Sequence, residues 1–197
     1  MSRNADAARP RVAVLGAGSW GTTFGKILAD GGAEVVMWAR RPELAGEIRT
    51  ARRNSAYLPG INLPKGMTAT ADLAAAVDGA EQIYLSVPSQ ALRENLTVLR
   101  PLLVGTEVPI VSLMKGVEKR TGLRMSEVIE QELVCDPDRI AAASGPNLAL
   151  EIAQEQPTAA VIASTSLATA EAVARRARNG YFRTFVNTDV IGTEFGG

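Results

Sequence analysis

The sequence predicts an α/β fold with a doubly wound, mostly parallel sheet and helices on both of its faces. Short apolar segments rich in β-branched residues alternate with helical segments along the chain, a pattern typical of a parallel sheet covered on both sides. A glycine-rich segment, G-A-G-S-W-G at residues 16–21, directly follows the first strand and opens the first helix. This placement makes the predicted sheet Rossmann-like.

The first elements are defined by their apolar runs and by the glycines and prolines that bound them. Residues 11–15 are predicted as a buried strand and residues 20–30 as a helix, which the glycine pair after it closes. Residues 34–39 are predicted as the second strand. Pro42 then begins a helix through about residue 53, because the missing N–H of proline costs nothing in a first turn.

The later elements repeat this alternation after a loop over residues 54–66, which Pro59, Gly60 and Pro64 predict. Strands are predicted over residues 82–87, 109–113, 139–143, 158–163 and 181–186, and helices over 72–77, 89–103, 122–134, 147–154 and 167–178. A further helix begins near residue 189, just before the sequence ends. We therefore interpret the chain as one domain of a longer protein.

The composition limits the chemistry that the chain can perform. Its 197 residues include one Cys and no His, which excludes a disulfide scaffold, the usual zinc ligand sets, a Ser-His-Asp triad and a Cys-His pair. The 21 Lys and Arg balance the 21 Asp and Glu, so no overall field attracts nucleic acid or a lipid surface. Because neither a signal peptide nor a span of ~20 apolar residues is visible, we expect a cytoplasmic protein without membrane insertion.

The three glycines of the motif have separate roles in a dinucleotide-binding turn. Gly16 allows the tight turn, Gly18 lets a pyrophosphate approach the backbone, and Gly21 lets the helix pack closely on the strand. Exposed N–H groups and the helix dipole then supply an anion site. The alternative is that these are only turn and packing glycines. The dinucleotide interpretation is favoured because all three fall where that fingerprint requires them.

Two arginines follow the second strand at the position that selects between cofactors. NAD-selective domains usually carry an acidic residue there, whereas this sequence has Arg40 and Arg41. Paired guanidiniums can bind a 2′-phosphate, so the sequence favours NADP(H) or at least tolerates it beside NAD(H). The alternative is a solvated basic start of the following helix, and we prefer that interpretation for the later arginines of the segment.

Three further turns are expected at the same edge of the sheet, because ligands of open α/β sheets lie beyond the carboxyl ends of the strands. Residues 86–90 end one strand and residues 113–116 end the next, with Lys115 placed to direct an ammonium at a phosphate or a developing alkoxide. Residues 144–147 begin a helix whose N–H groups and Asn147 amide would form a second polar rim. The alternatives are a surface lysine and an ordinary capped helix.

Four ordered motifs together resemble a known family. They are Gly-Ala-Gly-Ser-Trp-Gly-Thr at residues 16–22, Val-Pro-Ser at 87–89, Lys-Gly at 115–116 and Ser-Gly-Pro-Asn at 144–147. Their order and approximate spacing are similar to bacterial NAD(P)-dependent glycerol-3-phosphate dehydrogenase, and the segments at 54–60 and 187–192 resemble it too. The resemblance implies reversible reduction of dihydroxyacetone phosphate to sn-glycerol 3-phosphate, which supplies the backbone of phospholipids.

The resemblance also implies roles for individual residues. The implied cofactor contacts are Ser19, Trp20, Arg40, Arg41, Lys115 and Ala149, and the implied substrate contacts are Lys115, Gly145 and Asn147. Asn147 departs from bacterial members, which carry Thr or Ser there, but should preserve a hydrogen bond. The proton-transfer lysine of the family is expected just beyond Gly197, so we expect no catalytic residue within the chain and no activity from the chain alone.

The polar composition of the first residues, together with the resemblance, divides the chain into three parts. Residues 1–9 are expected to be a disordered tail, residues 10–187 an NAD(P)-binding Rossmann domain, and residues 188–197 the start of a truncated helical domain that binds the substrate. Without that domain, an apolar face near Val186, Val190, Ile191 and Phe195 should be exposed, and we expect the chain to form homo-oligomers.

Two other functions remain open from the sequence. Another ketone or hydroxyacid reductase with a Rossmann domain would share the glycine motif but would not need the Ser-Gly-Pro-Asn segment. A non-catalytic NADP(H)-binding module would not need Lys115 or Asn147, because a sensor requires no substrate contacts.

Overall fold

The structure of the chain is a computed structural model that describes residues 9–196. The tail predicted over residues 1–9 therefore lies outside the described residues, apart from Arg9. The strands are β1 Arg11–Leu15, β2 Glu34–Trp38, β3 Met67–Thr70, β4 Gln82–Leu85, β5 Ile110–Ser112, β6 Ile140–Ser144, β7 Thr158–Ala163 and β8 Phe182–Asn187. The helices are α1 Ser19–Asp30, α2 Pro42–Ala51, α3 Leu73–Val77, α4 Leu92–Leu99, α5 Met125–Leu133, α6 Ala149–Ala153, α7 Leu167–Ala177 and α8 Val190–Phe195, with single 3-10 turns at Ser89–Ala91, Arg100–Leu102 and Pro137–Arg139.

All eight strands form one sheet in the order β3-β2-β1-β4-β5-β6-β7-β8. Neighbouring strands run parallel except for the antiparallel pair β6 and β7. Leu15 at the end of β1 pairs with Trp38 on one side and with Leu85 on the other, so three strand ends lie level. The chain proceeds outward from β1 to β3 and then returns to β4 on the other side of β1. This reversal creates a crevice above β1 and β4.

Each face of the sheet is covered by its own group of helices, which confirms the predicted doubly wound α/β fold. Alternate β1 residues separate the two cores: Val12 and Val14 face α1, α2, α6 and α7, whereas Ala13 and Leu15 face α3, α4 and α5. In the first core, the Phe24 ring centroid lies 5.4 Å from that of Tyr84 and 5.9 Å from that of Phe182. These aromatic contacts fix α1, which carries the glycine turn at its N-terminus.

The prediction from the sequence missed one strand and made several helices too long. The four residues of β3 pair with β2 and bury only Met67 and Ala69, so this edge strand lacks the apolar run that identified the others. The helix predicted over 89–103 consists of α4 flanked by two 3-10 turns. The helix predicted from residue 122 begins at Met125, because the residues before it form a turn closed by a bridge between Val117 and Arg124.

The last helix packs on the sheet. Asp189 caps α8 by accepting a hydrogen bond from the Gly192 N–H at 2.8 Å, and α8 contacts β6 and β7. The apolar face expected near it is exposed in part: Val186, Ile191 and Phe195 are exposed, the last to 67%. The domain division and self-association both stay predictions. In the part of the chain that the structure describes, no helix has the length and apolar character needed to cross a membrane.

Candidate functional site

A cleft of about 710 Å³ opens at the carboxyl ends of the central strands, above the reversal point between β1 and β4. It is therefore located where parallel α/β sheets bind ligands. Its lining comes from the glycine turn, the ends of β2, β4 and β5, the loop before β3 and the loop after β6. The lining residues include Gly16, Ala17, Gly18, Ser19, Trp20, Arg40, Arg41, Tyr57, Ser86, Val87, Pro88, Ser89, Met114, Lys115 and Asn147.

The three glycines of the turn differ in how closely other atoms pack around them. Gly16 has a φ of +118°, and a Cβ there would lie 2.3 Å from the Ser86 carbonyl oxygen. A Cβ on Gly21 would lie 2.1 Å from the Gly16 carbonyl oxygen, so the start of α1 packs directly on the turn. A Cβ on Gly18 would meet no atom within 4 Å. Gly18 thus leaves open space in front of α1, whose N-terminus has no side-chain cap. That combination suits an anionic group.

A buried asparagine docks the loop over residues 54–58 onto the glycine turn. Asn54 Nδ2 donates to the Ala17 carbonyl oxygen at 3.0 Å and to Thr22 Oγ1 at 2.8 Å, while its Oδ1 accepts from the Tyr57 N–H at 3.2 Å. Ser19 Oγ also donates to the Tyr57 carbonyl oxygen, at 2.6 Å. The sequence reasoning missed both Asn54 and Tyr57 as site residues, and the resemblance of the 54–60 segment was the only signal for them.

The arginines after β2 reach the same cleft. Arg40 and Arg41 are both exposed and line the cleft beside Trp38. The Arg41 guanidinium carbon lies 5.6 Å from the centroid of the Tyr57 ring, within the range of a cation–π contact. An aromatic ring and two guanidiniums therefore form one wall, which offers a stacking surface and positive charge next to the glycine turn.

Lys115 and Asn147 face the cleft from the opposite side. Lys115 Nζ donates to the Gly145 carbonyl oxygen at 3.0 Å, which ties the loop after β5 to the loop after β6. The Asn147 N–H donates to the same carbonyl oxygen at 2.8 Å. Asn147 Oδ1 is buried and has no hydrogen-bond partner among the described residues. The rim thus carries one ammonium and one unused amide oxygen.

A comparison with known families shows the family of the chain. A family model described as "NAD-dependent glycerol-3-phosphate dehydrogenase N-terminus" matches residues 11–170. The chain belongs to this family. The resemblance drawn from the four sequence motifs is therefore confirmed, as is the nicotinamide dinucleotide predicted as the cofactor class.

Relatives of this dehydrogenase family extend the match over nearly the whole chain. A "Glycerol-3-phosphate dehydrogenase [NAD(P)+]" of Leifsonia xyli is 67% identical over 184 residues, which are 93% of this chain and 50% of the relative. One of Nocardia farcinica is 54% identical over 191 residues, which cover 95% and 56%. The crystal structure of glycerol-3-phosphate dehydrogenase from Coxiella burnetii is similar with a TM-score of 0.88 at 34% identity, covering 96% and 57%. The chain spans about half the length of the curated relatives it matches.

Among the site residues predicted for a glycerol-3-phosphate dehydrogenase from the glycine motif and from the resemblance, three do not line the cleft. Gly21 packs against Gly16, and Gly145 contacts the cleft-lining residues Lys115 and Asn147 through its carbonyl oxygen. Ala149 begins α6 and lies away from the cleft, where its carbonyl oxygen accepts from Thr23 Oγ1 at 3.1 Å. Their roles in binding stay predictions. The described residues contain no group of three or more His, Cys, Asp or Glu that could hold a metal ion.

Proposed function

We propose that the chain forms the cofactor-binding part of a cytoplasmic glycerol-3-phosphate dehydrogenase, which reduces dihydroxyacetone phosphate to sn-glycerol 3-phosphate. The observation that carries this proposal is that the open helix N-terminus at Gly18 shares one cleft with Lys115 and Asn147. A dinucleotide site needs the first feature. The other two add polar groups beyond the pyrophosphate space, and a purely dinucleotide-binding module has no use for the Asn147 amide.

The cofactor in this proposal is NADP(H), with NAD(H) as the second dinucleotide that the cleft accepts. Because Gly18 has no side chain, the space in front of it stays free for a pyrophosphate. The helix N-terminus behind that space favours an anion. Arg40 and Arg41 would pair with the 2′-phosphate through charge-assisted hydrogen bonds. The nicotinamide, when bound, supplies the hydride for the reduction.

Lys115 and Asn147 would bind the substrate on the opposite rim. The Lys115 ammonium has two further N–H groups beyond the one that it donates to Gly145, so it can attract a phosphate or a carbonyl oxygen. The unpaired Asn147 Oδ1 can accept a hydrogen bond from a hydroxyl. Proton transfer requires a further group, and the resemblance implies a lysine for that role.

Calorimetric titration of the 197-residue chain with NADPH and NADH, together with a turnover assay, tests the proposal. We expect both dinucleotides to bind, NADPH more tightly, and no reduction of dihydroxyacetone phosphate above background, because a positioned acid contributes about 10²–10⁴-fold to such a step. Absence of binding to either dinucleotide would contradict the proposal. Turnover that is lost in Lys115→Ala would show that Lys115 is the proton donor and that the roles assigned above are wrong.

A further inference from the structure

The loop that carries Lys115 continues into a small hairpin. A bridge joins Val117 to Arg124, the Glu118 N–H donates to the Leu123 carbonyl oxygen at 2.8 Å, and the Gly122 N–H donates to the Glu118 carbonyl oxygen at 2.8 Å. Between Lys115 and this hairpin lies Gly116 alone, with a φ of +93°. The hairpin therefore fixes the chain on one side of Lys115, and the end of β5, where the Leu113 N–H donates to the Leu85 carbonyl oxygen at 2.9 Å, fixes it on the other.

Gln90 ties the hairpin to the loop after β4. This residue belongs to the 3-10 turn Ser89–Ala91, and its side-chain amide forms hydrogen bonds on both sides of Glu118. Its Nε2 donates to the Val117 carbonyl oxygen at 2.9 Å, and its Oε1 accepts from the Lys119 N–H at 3.0 Å. Two loops that line the cleft are thus joined by one side chain that does not itself line it.

Arg93, in the first turn of α4, holds the carboxylate of the hairpin. Its Nε and Nη2 donate to the two oxygens of Glu118 at 2.8 and 2.9 Å, and the same guanidinium also pairs with Glu132 of α5. The Arg93 and Glu118 side chains are only 26% and 13% exposed. Hydrogen bonds from Arg93 and then from Thr121 lower the pKa of Glu118 to about 2. The carboxylate therefore stays ionised and bidentate throughout the neutral range.

The other end of the hairpin is held by the last helix. The Glu194 side chain, 7% exposed, accepts from Arg124 Nη1 at 2.7 Å, from the Ser126 N–H at 2.9 Å and from Ser126 Oγ at 2.6 Å. In contrast, the exposed ammonium of Lys115 has one hydrogen bond within the described chain, to Gly145. Its direction thus depends on the anchored backbone behind it.

We propose that Gln90 and Arg93 are positioning residues that hold the Lys115 ammonium at the cleft through the hairpin over residues 117–124. This inference deepens the proposed function, because it concerns Lys115, which is assigned there to substrate binding and which the family resemblance also implies as a cofactor contact. Partly exposed ion pairs and side-chain amide hydrogen bonds contribute modestly to global stability. Their main effect here is local, since the residue that they orient is one residue away from the hairpin.

Chemical labelling of lysine amines, followed by mass spectrometry, tests the inference without any ligand. In Arg93→Gln the hydrogen bond from the Lys115 ammonium to the Gly145 carbonyl oxygen should be broken more often. The labelling rate of Lys115 relative to that of the exposed Lys65 should therefore rise about threefold, which corresponds to the free energy of one weak hydrogen bond. Arg176→Gln is the matched control, because Arg176 is also 26% exposed and pairs with Glu81 at 3.1 Å away from the cleft. Unchanged labelling of Lys115 in Arg93→Gln, or an equal rise in the control, would overturn the inference.

A double-mutant cycle measures the consequence for binding. We expect Arg93→Gln and Gln90→Ala to weaken NADPH binding in the native chain, by no more than Lys115→Ala does, and to have no further effect in a Lys115→Ala background. A merely structural role would give equal losses in both backgrounds and would contradict the inference. If the native chain binds no NADPH, the proposed function fails, and the labelling experiment still decides whether Arg93 positions Lys115.

Discussion

Replacing Gly18 by valine should abolish dinucleotide binding while the domain stays folded. Gly18 has φ −73° and ψ −178°, an extended conformation that any residue adopts, and a Cβ there meets no atom within 4 Å. Valine is a poorer N-cap than glycine by roughly 0.5–1 kcal/mol, but it also restricts the unfolded chain by a similar amount. The free energy of unfolding should therefore change by less than about 1 kcal/mol.

The effect on binding should be far larger, because the valine methyl groups would fill the space in front of the α1 N-terminus. A hydrogen bond between a backbone N–H and a charged phosphate oxygen contributes about 1.5–3 kcal/mol. Each such bond that the side chain prevents weakens the affinity by about 10- to 150-fold. Loss of two bonds places binding below detection in an ordinary titration.

Gly16→Val is the matched control, because the same change two residues earlier should act on the fold instead. Its φ of +118° strains any side chain by about 1–3 kcal/mol, and the Cβ would overlap the Ser86 carbonyl oxygen. Urea unfolding and NADPH titration of both variants measure the two effects. The reasoning is wrong if Gly18→Val loses more than about 2 kcal/mol of stability, or if it binds NADPH as the native chain does.

Three further predictions concern charge. Arg40→Ala should weaken NADPH about tenfold or more without changing NADH affinity in a titration, and equal losses would contradict a 2′-phosphate contact. The pKa of Glu118 is lowered from 4.5 to about 2, so the stability lost in Glu118→Gln should be seen in urea unfolding above pH 4.5 and disappear towards pH 2. Lys26→Met should lower the free energy of unfolding by about 1–2 kcal/mol in the same assay, because the buried Lys26 pairs with the partly exposed Asp30 and Glu155. An unchanged free energy of unfolding would refute a stabilising role for these pairs.

The parts of the fold that the sequence predicted well are those in which one local pattern determines the structure. Strands buried on both faces are nearly continuous apolar runs, so β1 and β4 were located within two residues. The partly buried β7 was located by the same apolar signal. The edge strand β3 was missed because it is a strand through its pairing with β2 and has no apolar run of its own. The start of α5 was misplaced because the preceding residues fold into a hairpin that is held by the tertiary contacts of Glu118. No local sequence signal distinguishes this hairpin from the start of a helix.

The candidate site divides in the same way. Arg40, Lys115 and Asn147 could be placed near one cleft because each follows a strand, and parallel strands end at the same edge of the sheet. Tyr57 follows no strand. It reaches the cleft because Asn54, 37 residues beyond Ala17 in the chain, buries its amide against the glycine turn. A polar residue in a loop that contains proline and glycine predicts only a turn, so this contact could not be inferred from spacing.

These contacts also determine how much the cleft must change when it binds a ligand. Asn54 holds the loop before β3 on the glycine turn, Gln90 holds the loop after β5 on the loop after β4, and Lys115 holds the loop after β5 on the loop after β6. Adjacent loops around the cleft are thus cross-linked by hydrogen bonds before any ligand arrives. Because ordering a flexible loop would subtract its conformational entropy from the binding free energy, these cross-links favour affinity. Of the three, only the contact made by Lys115 uses a residue that lines the cleft, so under the proposed function it is the contact that ligand binding would exchange for a phosphate.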